Sequence, residues 1–256
     1  MIIKLNHKHH TKIINYLNKE PEFNLFIKSD LDRYGYNNYF FNIWADIDEN
    51  GEIIGILVKC FEFITIYSDT FINIEKFCNL INKMEFYQIS GKSEIVDSIA
   101  KELRLQKVRK VNFCKLENKL NLIKDIEDIK FKKIKVGNIK KIVNLYKIID
   151  EFENTTVEII KSGLKTGRGY YIEVNKQAVA MAKSTSENET HAMIVGVGTN
   201  PKFRNKGYAT KCVSKICIDL LNENKIPCLF YDNEKAGKIY KNLGFIKMGN
   251  WSIYSR

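Results

Sequence analysis

Val195-Gly196-Val197-Gly198-Thr199-Asn200-Pro201-Lys202-Phe203-Arg204-Asn205-Lys206-Gly207-Tyr208-Ala209-Thr210 reads as a strand, a cationic turn and the opening of a helix. From Met193 to Thr199 the residues alternate, with Met193, Val195, Val197 and Thr199 on one face and Ile194, Gly196 and Gly198 on the other. One face is therefore nearly bare. Glycine inside a strand gives up packing, so Gly196 and Gly198 point to a bulge or to another chain of atoms pressed against the backbone. Pro201, which has no N–H to donate, ends the ladder. Beyond the turn, Ala209, Val213, Ile216, Cys217, Leu220 and Leu221 recur at steps of three and four, which predicts a helix running from the glycine turn to about Asn224.

The start of that helix is an anion site by construction. Its first N–H groups have no partner within the helix, and the macrodipole adds roughly half a positive charge there. Gly207 lets the backbone approach an anion closely, and Arg204, Lys206 and Lys211 add formal charge. The guest expected is a phosphate or pyrophosphate. The P-loop pattern is absent, because Gly207 is followed by Tyr208, and no dinucleotide G-x-G-x-x-G precedes the helix.

Arg204-x-x-Gly207-x-Ala209, preceded by a strand and Pro201, resembles the acetyl-CoA pyrophosphate loop of the GCN5-related N-acetyltransferases (GNATs), whose pattern is Q/R-x-x-G-x-G/A. Downstream, Cys228 to Asn233, Ala236, Tyr240 and Leu243-Gly244-Phe245 stand where that family places a short strand, an Asn and a helix carrying Tyr before Gly-Phe. The resemblance implies an α/β (α+β) GNAT fold with a mixed, largely antiparallel twisted sheet flanked by helices. It implies acetyl-CoA as co-substrate, with no metal. The pantetheine arm would pair with the backbone of Val197, Gly198 and Thr199, which would account for the bare glycine face. The pyrophosphate would accept N–H groups from Asn205, Lys206, Gly207, Tyr208, Ala209 and Thr210 beside Arg204. Asn233 would contact the arm, and Tyr240 would act as the acid toward the departing thiolate.

Direct attack by an acceptor amine needs no nucleophilic Ser or Cys, but it does need a proton acceptor. Glu153, Glu173 and His191 are the candidates. Family members that acetylate protein N-termini often carry Glu on the strand before the Asn motif, where this chain has Cys228. That departure argues against an N-terminal peptide acceptor, and the acceptor stays open between a small molecule and a peptide.

The first half carries no such loop. Ile2 to Leu5, two helices separated at Pro21, strands over Phe40 to Ala45 and Ile53 to Cys60 around the Asp48-Glu49-Asn50-Gly51 turn, and Phe63 to Tyr67 follow one another. A helix over Ile74 to Met84, a strand over Phe86 to Ile89, a helix through Leu103 with Ser93 as its cap, and a strand over Val108 to Leu116 complete it. The same order recurs in the second half, with Phe131 to Val136, a helix from Asn138 to Asp150, a second helix capped by Thr155 or Thr156, and a hairpin around Asn175-Lys176. Two domains are expected: 1–120, a divergent GNAT-like domain in which Ser68-Asp69-Thr70-Phe71 replaces the phosphate loop and no cofactor binds, and 126–256, the catalytic GNAT domain.

Composition narrows the classes further. Hydrophobic residues make up 45% of the 256 and charged residues 28%, enough to bury a core. The net charge of +11 invites a nucleic-acid reading. Acids are interspersed with the bases, however, so a solvated surface is expected and neither nucleic acid nor membrane is a partner. Cys60, Cys78, Cys114, Cys212, Cys217 and Cys228 show no zinc spacing and fit reduced thiols in the cytoplasm. Monomer and homodimer remain equally open. The rival function is a regulatory module that binds acetyl-CoA without turnover.

Overall fold

The computed structural model describes residues 1–70, 72–124, 130–152 and 155–256. The chain forms two compact units, one of Met1–Phe113 with Met248–Arg256 and one of Cys114–Lys247. The first unit holds β1 (Ile2–Lys4), α1 (His10–Leu17), α2 (Leu25–Tyr34), β2 (Phe41–Ile47), β3 (Ile53–Cys60), β4 (Phe63–Tyr67), α3 (Ile74–Ile81), β5 (Gln88–Lys92), α4 (Ser93–Glu102) and β6 (Lys107–Lys115). β1 to β4 pair antiparallel in sequence order, and β5 joins parallel to β4 after the α3 crossover. The β2–β3 hairpin turns where Asp48 Oδ1 accepts from the N–H groups of Asn50 (2.9 Å) and Glu52 (2.8 Å).

α3 docks through Phe77 and Ile81, both fully buried against Leu57, Ile66 and Ile89. Each such side chain contributes about 1.5–3 kcal/mol by leaving water. Ser93 does not cap α4. Lys92 is the N-cap and makes no side-chain cap bond, while the Ser93 hydroxyl meets Ser252 at 2.8 Å.

One carboxylate of this unit is set against its surroundings. Burial pushes Asp30 up to about 6, against opposing help from the Cys60 thiol and Arg33. The folded state thus binds this proton more tightly than the unfolded chain does. Its contribution to stability is full below about pH 4 and is lost as pH rises through about 6. Asp30→Asn is expected to stabilise the protein by about 1–3 kcal/mol at pH 8, with the gain fading by pH 4. Urea melts at the two pH values check this, and a wild type more stable than the variant at pH 8 would refute it.

The second unit holds β7 (Phe131–Lys133), α5 (Ile139–Tyr146), α6 (Val157–Lys165), β8 (Gly169–Val174), β9 (Gln177–Thr185), β10 (His191–Thr199), α7 (Tyr208–Asn222), β11 (Ile226–Tyr231) and α8 (Glu234–Asn242). Its strands run in the order β7-β8-β9-β10-β11, antiparallel except for the parallel β10–β11 pair that α7 connects. The two units therefore repeat one pattern: antiparallel strands followed by a parallel pair across a helix. Asn175 and Lys176 both adopt positive φ (49° and 64°) in the β8–β9 turn, and Thr156 caps α6 by accepting from the Ile159 N–H at 3.3 Å.

β9 is buried at seven consecutive residues, 178–184, because helices cover both of its faces. α7 covers one face with Val213, Ile216 and Leu220, against Ala180, Ala182 and Ile194. α5 and α6 cover the other with Ile142, Tyr146 and Ile160, against Tyr171 and Met181.

The last strand, β12 (Ile246–Ser255), changes the expected division of the chain. From Met248 onward it belongs to the first unit, pairing antiparallel with β5 from Trp251–Lys92 to Ser255–Gln88. Trp251 is 3% exposed and packs on Phe113 and Phe26. A second domain running unbroken from 126 to 256 is not what the chain forms; alternation shows a strand but not its partner.

Candidate active site

β10 and β11 pair in register from His191–Ile226 to Ile194–Leu229, and no pair follows among the described residues. β10 nevertheless continues to Thr199 and β11 to Tyr231. The two strands thus part, leaving the backbone of Val195 to Thr199 without a strand partner on that side.

On its other side β10 carries a one-residue bulge, since Val195 faces Lys183 but Gly198 faces Met181. Gly196 sits in the bulge at φ +60°. The bare glycine face is not left open for a ligand. A Cβ on Gly196 would run into the Tyr146 hydroxyl, and one on Gly198 would stand 2.8 Å from Ile149 Cδ1 and from Phe152 Cε2. Side chains of α5 (Tyr146) and of the segment that follows it (Ile149 and Phe152) are the atoms pressed on these glycines, correcting the expectation that a pantetheine arm accounts for them. The bulge also breaks the alternation: Ile194 joins the α7 core while Gly196 and Gly198 meet the α5 side.

After β10, Asn200 Oδ1 accepts from the Lys202 N–H (3.0 Å) and closes the turn Pro201–Phe203. Asn205 at φ +63° and Gly207 at φ +71° then reverse the chain into α7. The first bond of α7 is Lys211 N–H to Gly207 O at 3.0 Å, and no side chain caps this end. The N–H groups of Tyr208, Ala209 and Thr210 are thus left without helical acceptors. Arg204, Asn205, Lys206 and Gly207 are exposed, and a Cβ on Gly207 would meet nothing within 4 Å. Among the described residues neither Arg204, Lys206 nor Lys211 is ion-paired. Open backbone donors, a helix N-terminus and three cations with no carboxylate partner among the described residues, Lys206 lying over the Phe203 ring at 5.5 Å, fit a pyrophosphate.

Asn233 is the exposed N-cap of α8, its side-chain oxygen accepting from the Lys235 N–H at 2.8 Å, which leaves its amide N–H groups and the oxygen's second lone pair to meet a ligand. Tyr240 is 9% exposed between the rings of Tyr231 (6.0 Å) and Phe245 (5.8 Å), and it lines a cavity of about 400 Å³ with Cys114, Phe245 and Lys241. Burial, with the Cys217 thiol nearby, pushes its hydroxyl up to about 12. It carries its proton at neutral pH.

The candidate proton acceptors divide. Glu173 is held by Lys132 and Lys141, whose hydrogen bonds keep it below the usual carboxylate range. His191 is 3% exposed and bonded to Thr190 Oγ1 at 2.8 Å, five residues up β10 from Gly196, about 16 Å along a strand. Glu153 lies outside the described residues. The cysteines are free rather than bridged, and all but Cys60 are buried. What the sequence did not single out is Tyr146 and Lys183, both against Gly196; a lysine closing the apolar run Ala178 to Ala182 was the available signal.

Among the described residues no helix is long and apolar enough to cross a membrane. No curated protein matches the chain. Solved structures share its fold. A Drosophila protein is 7% identical with a TM-score of 0.72, over 100% of this chain and 98% of its own. A GCN5-related N-acetyltransferase from Sphaerobacter thermophilus is 10% identical with a TM-score of 0.66, over 100% and 95%. A tandem GNAT protein from the clavulanic acid biosynthesis pathway is 10% identical with a TM-score of 0.61, over 100% and 98%. The family model for GNAT acetyltransferases matches residues 25–254. With that match spanning most of both units, the chain belongs to the GNAT acetyltransferase family.

Proposed function

We propose that the second unit moves an acetyl group from acetyl-CoA to an amine by direct attack. The observation that carries this reading is the parting of β10 from β11 directly before the uncapped start of α7. The edge of β10 over Val197, Gly198 and Thr199 that faces away from β9 is free to meet an amide-bearing arm. The N–H groups from Asn205 to Thr210, with Arg204, are free to hold the pyrophosphate to which that arm is joined. Acetyl-CoA supplies an acyl carbon activated as a thioester. The amine nitrogen forms the C–N bond as the C–S bond breaks, the ammonium proton is lost, and the thiolate takes a proton.

Tyr240 is the group proposed to give that proton. Its hydroxyl, protonated below about pH 12, hydrogen-bonds to or protonates a thiolate whose conjugate acid lies near 8.5. Tyr240→Phe is expected to lower kcat by about a hundred-fold while leaving acetyl-CoA affinity within about three-fold. Thiol release across an amine panel, with calorimetry in parallel, measures both. Equal turnover in the variant would remove Tyr240 from the chemistry. Binding without turnover in the parent would favour a regulatory acetyl-CoA sensor, a reading to which the ion-paired state of Glu173 and the burial of His191 also lend weight.

A further inference from the structure

Lys183 is 6% exposed and stands directly opposite Val195 where β10 bulges. Its Cε lies 3.2 Å from where a Cβ on Gly196 would be, and its Nζ 3.1 Å from where one on Gly163 would be. The side chain therefore runs from the bulge to the underside of α6, where its nitrogen lies close against Gly163. Other withdrawn lysines hold carboxylates. Lys92, Lys115, Lys215 and Lys225, with side chains 17–28% exposed, each have one within 3.5 Å. Lys183 is more deeply placed and has no ion pair among the described residues. Burial accordingly draws its pKa down.

Beside it, Tyr146 is 2% exposed, and its hydroxyl is buried without a hydrogen-bond partner among the described residues. That oxygen, too, is aimed at Gly196. A buried hydroxyl with no partner costs about 1–3 kcal/mol, and an unpaired buried ammonium costs more. Replacement by phenylalanine and methionine would avoid both costs. Two donors thus lie on the α5–α6 side of β10, the hydroxyl against Gly196 and the ammonium reaching on toward Gly163, with no acceptor for either among the described residues. A group with one negative charge and two acceptor oxygens satisfies one cation and one hydroxyl; a phosphate would ask for more charge than they offer.

We propose that Lys183 and Tyr146 bind the carboxylate of the acceptor, so that the acceptor class is a carboxylate-bearing amine such as an amino acid. This rests on the acetyl-transfer reading for its catalytic meaning, because the pair lies beside the β10 backbone assigned there to the thioester arm. The carboxylate site itself can be measured without turnover.

The test uses the full chain with lysines labelled at ¹³Cε and pairs of probes differing only in the carboxylate: phenylalanine and phenethylamine, histidine and histamine, lysine and cadaverine, arginine and agmatine. The Lys183 signal is identified by its loss in Lys183→Met. It is expected to titrate below the other lysines and to move on addition of at least one amino acid but not of its decarboxylated partner. Acetyl transfer should favour that amino acid at least about ten-fold, the worth of one charge-assisted hydrogen bond. The preference should shrink toward parity in Lys183→Met and in Tyr146→Phe, which removes only a hydroxyl. A Lys183 signal unmoved by every amino acid, or equal transfer within every pair, overturns the proposal. Failure of acetyl-CoA to bind would instead sink the transfer reading and leave the titration to decide the carboxylate site alone.

Discussion

Arg204→Glu with Gly207→Glu is expected to weaken acetyl-CoA binding at least about a hundred-fold, to the point of abolishing heat in a calorimetric titration. The double change replaces one cation by an anion and adds a second anion at the turn where Tyr208, Ala209 and Thr210 present unpartnered N–H groups. Charge-assisted hydrogen bonds of the kind lost are worth about 1.5–3 kcal/mol each, and like-charge repulsion adds to their loss. The substitution clashes with no other part of the protein, since the space beyond Gly207 is empty to 4 Å. Gly207→Ala is the control: at φ +71° it bears about 1–2 kcal/mol of strain but no charge, and it should bind within about ten-fold of wild type. The turn is exposed, so circular dichroism should be unchanged. Undiminished binding by a folded double variant would mean that the pyrophosphate does not sit at α7.

Gly196→Ala is expected to cost about 2–4 kcal/mol of stability, from left-handed strain at φ +60° and from overlap with the Tyr146 hydroxyl. Tyr146→Phe alone should stabilise the protein by about 1–3 kcal/mol, because the hydroxyl it removes is buried with no partner among the described residues. Combined with Gly196→Ala it should recover about 1–2 kcal/mol beyond that, since the obstructing atom is gone while the backbone strain stays. Urea melts of the four proteins give the coupling directly. Strict additivity would show that the two groups do not meet.

These two positions also mark what could be read from the chain beforehand. The β10 turn and the start of α7 were legible because their signals are local: Pro201 stops a ladder, Gly207 permits φ +71°, and Val213, Ile216 and Leu220 repeat at helical spacing. Gly196 and Gly198 were legible as needing a close neighbour, but not which one. Tyr146 stands fifty residues earlier, where it reads as one more apolar position of α5. Ser93 misled for a related reason, as its hydroxyl is taken by Ser252, a pairing across 159 residues that no local pattern announces. Tyr240 and Asn233 were placed by motif rather than by physics, and in the fold one is mostly core and the other a helix cap.

The inclusion of Met248–Arg256 in the first unit has a consequence for synthesis. Ribosomes build from the N-terminus at roughly 5–20 residues per second, so about seven to thirty seconds separate the emergence of Phe113 from that of Ser255. Through that interval β5 lacks the strand that will pair with it from Gln88 to Lys92, and its backbone donors and acceptors stay open to any other extended segment. The second unit has its strands β7 to β11 in hand earlier, so the part of the chain made first finishes last. A nascent chain stalled short of Trp251 should show a protease-sensitive first unit beside an already resistant second one.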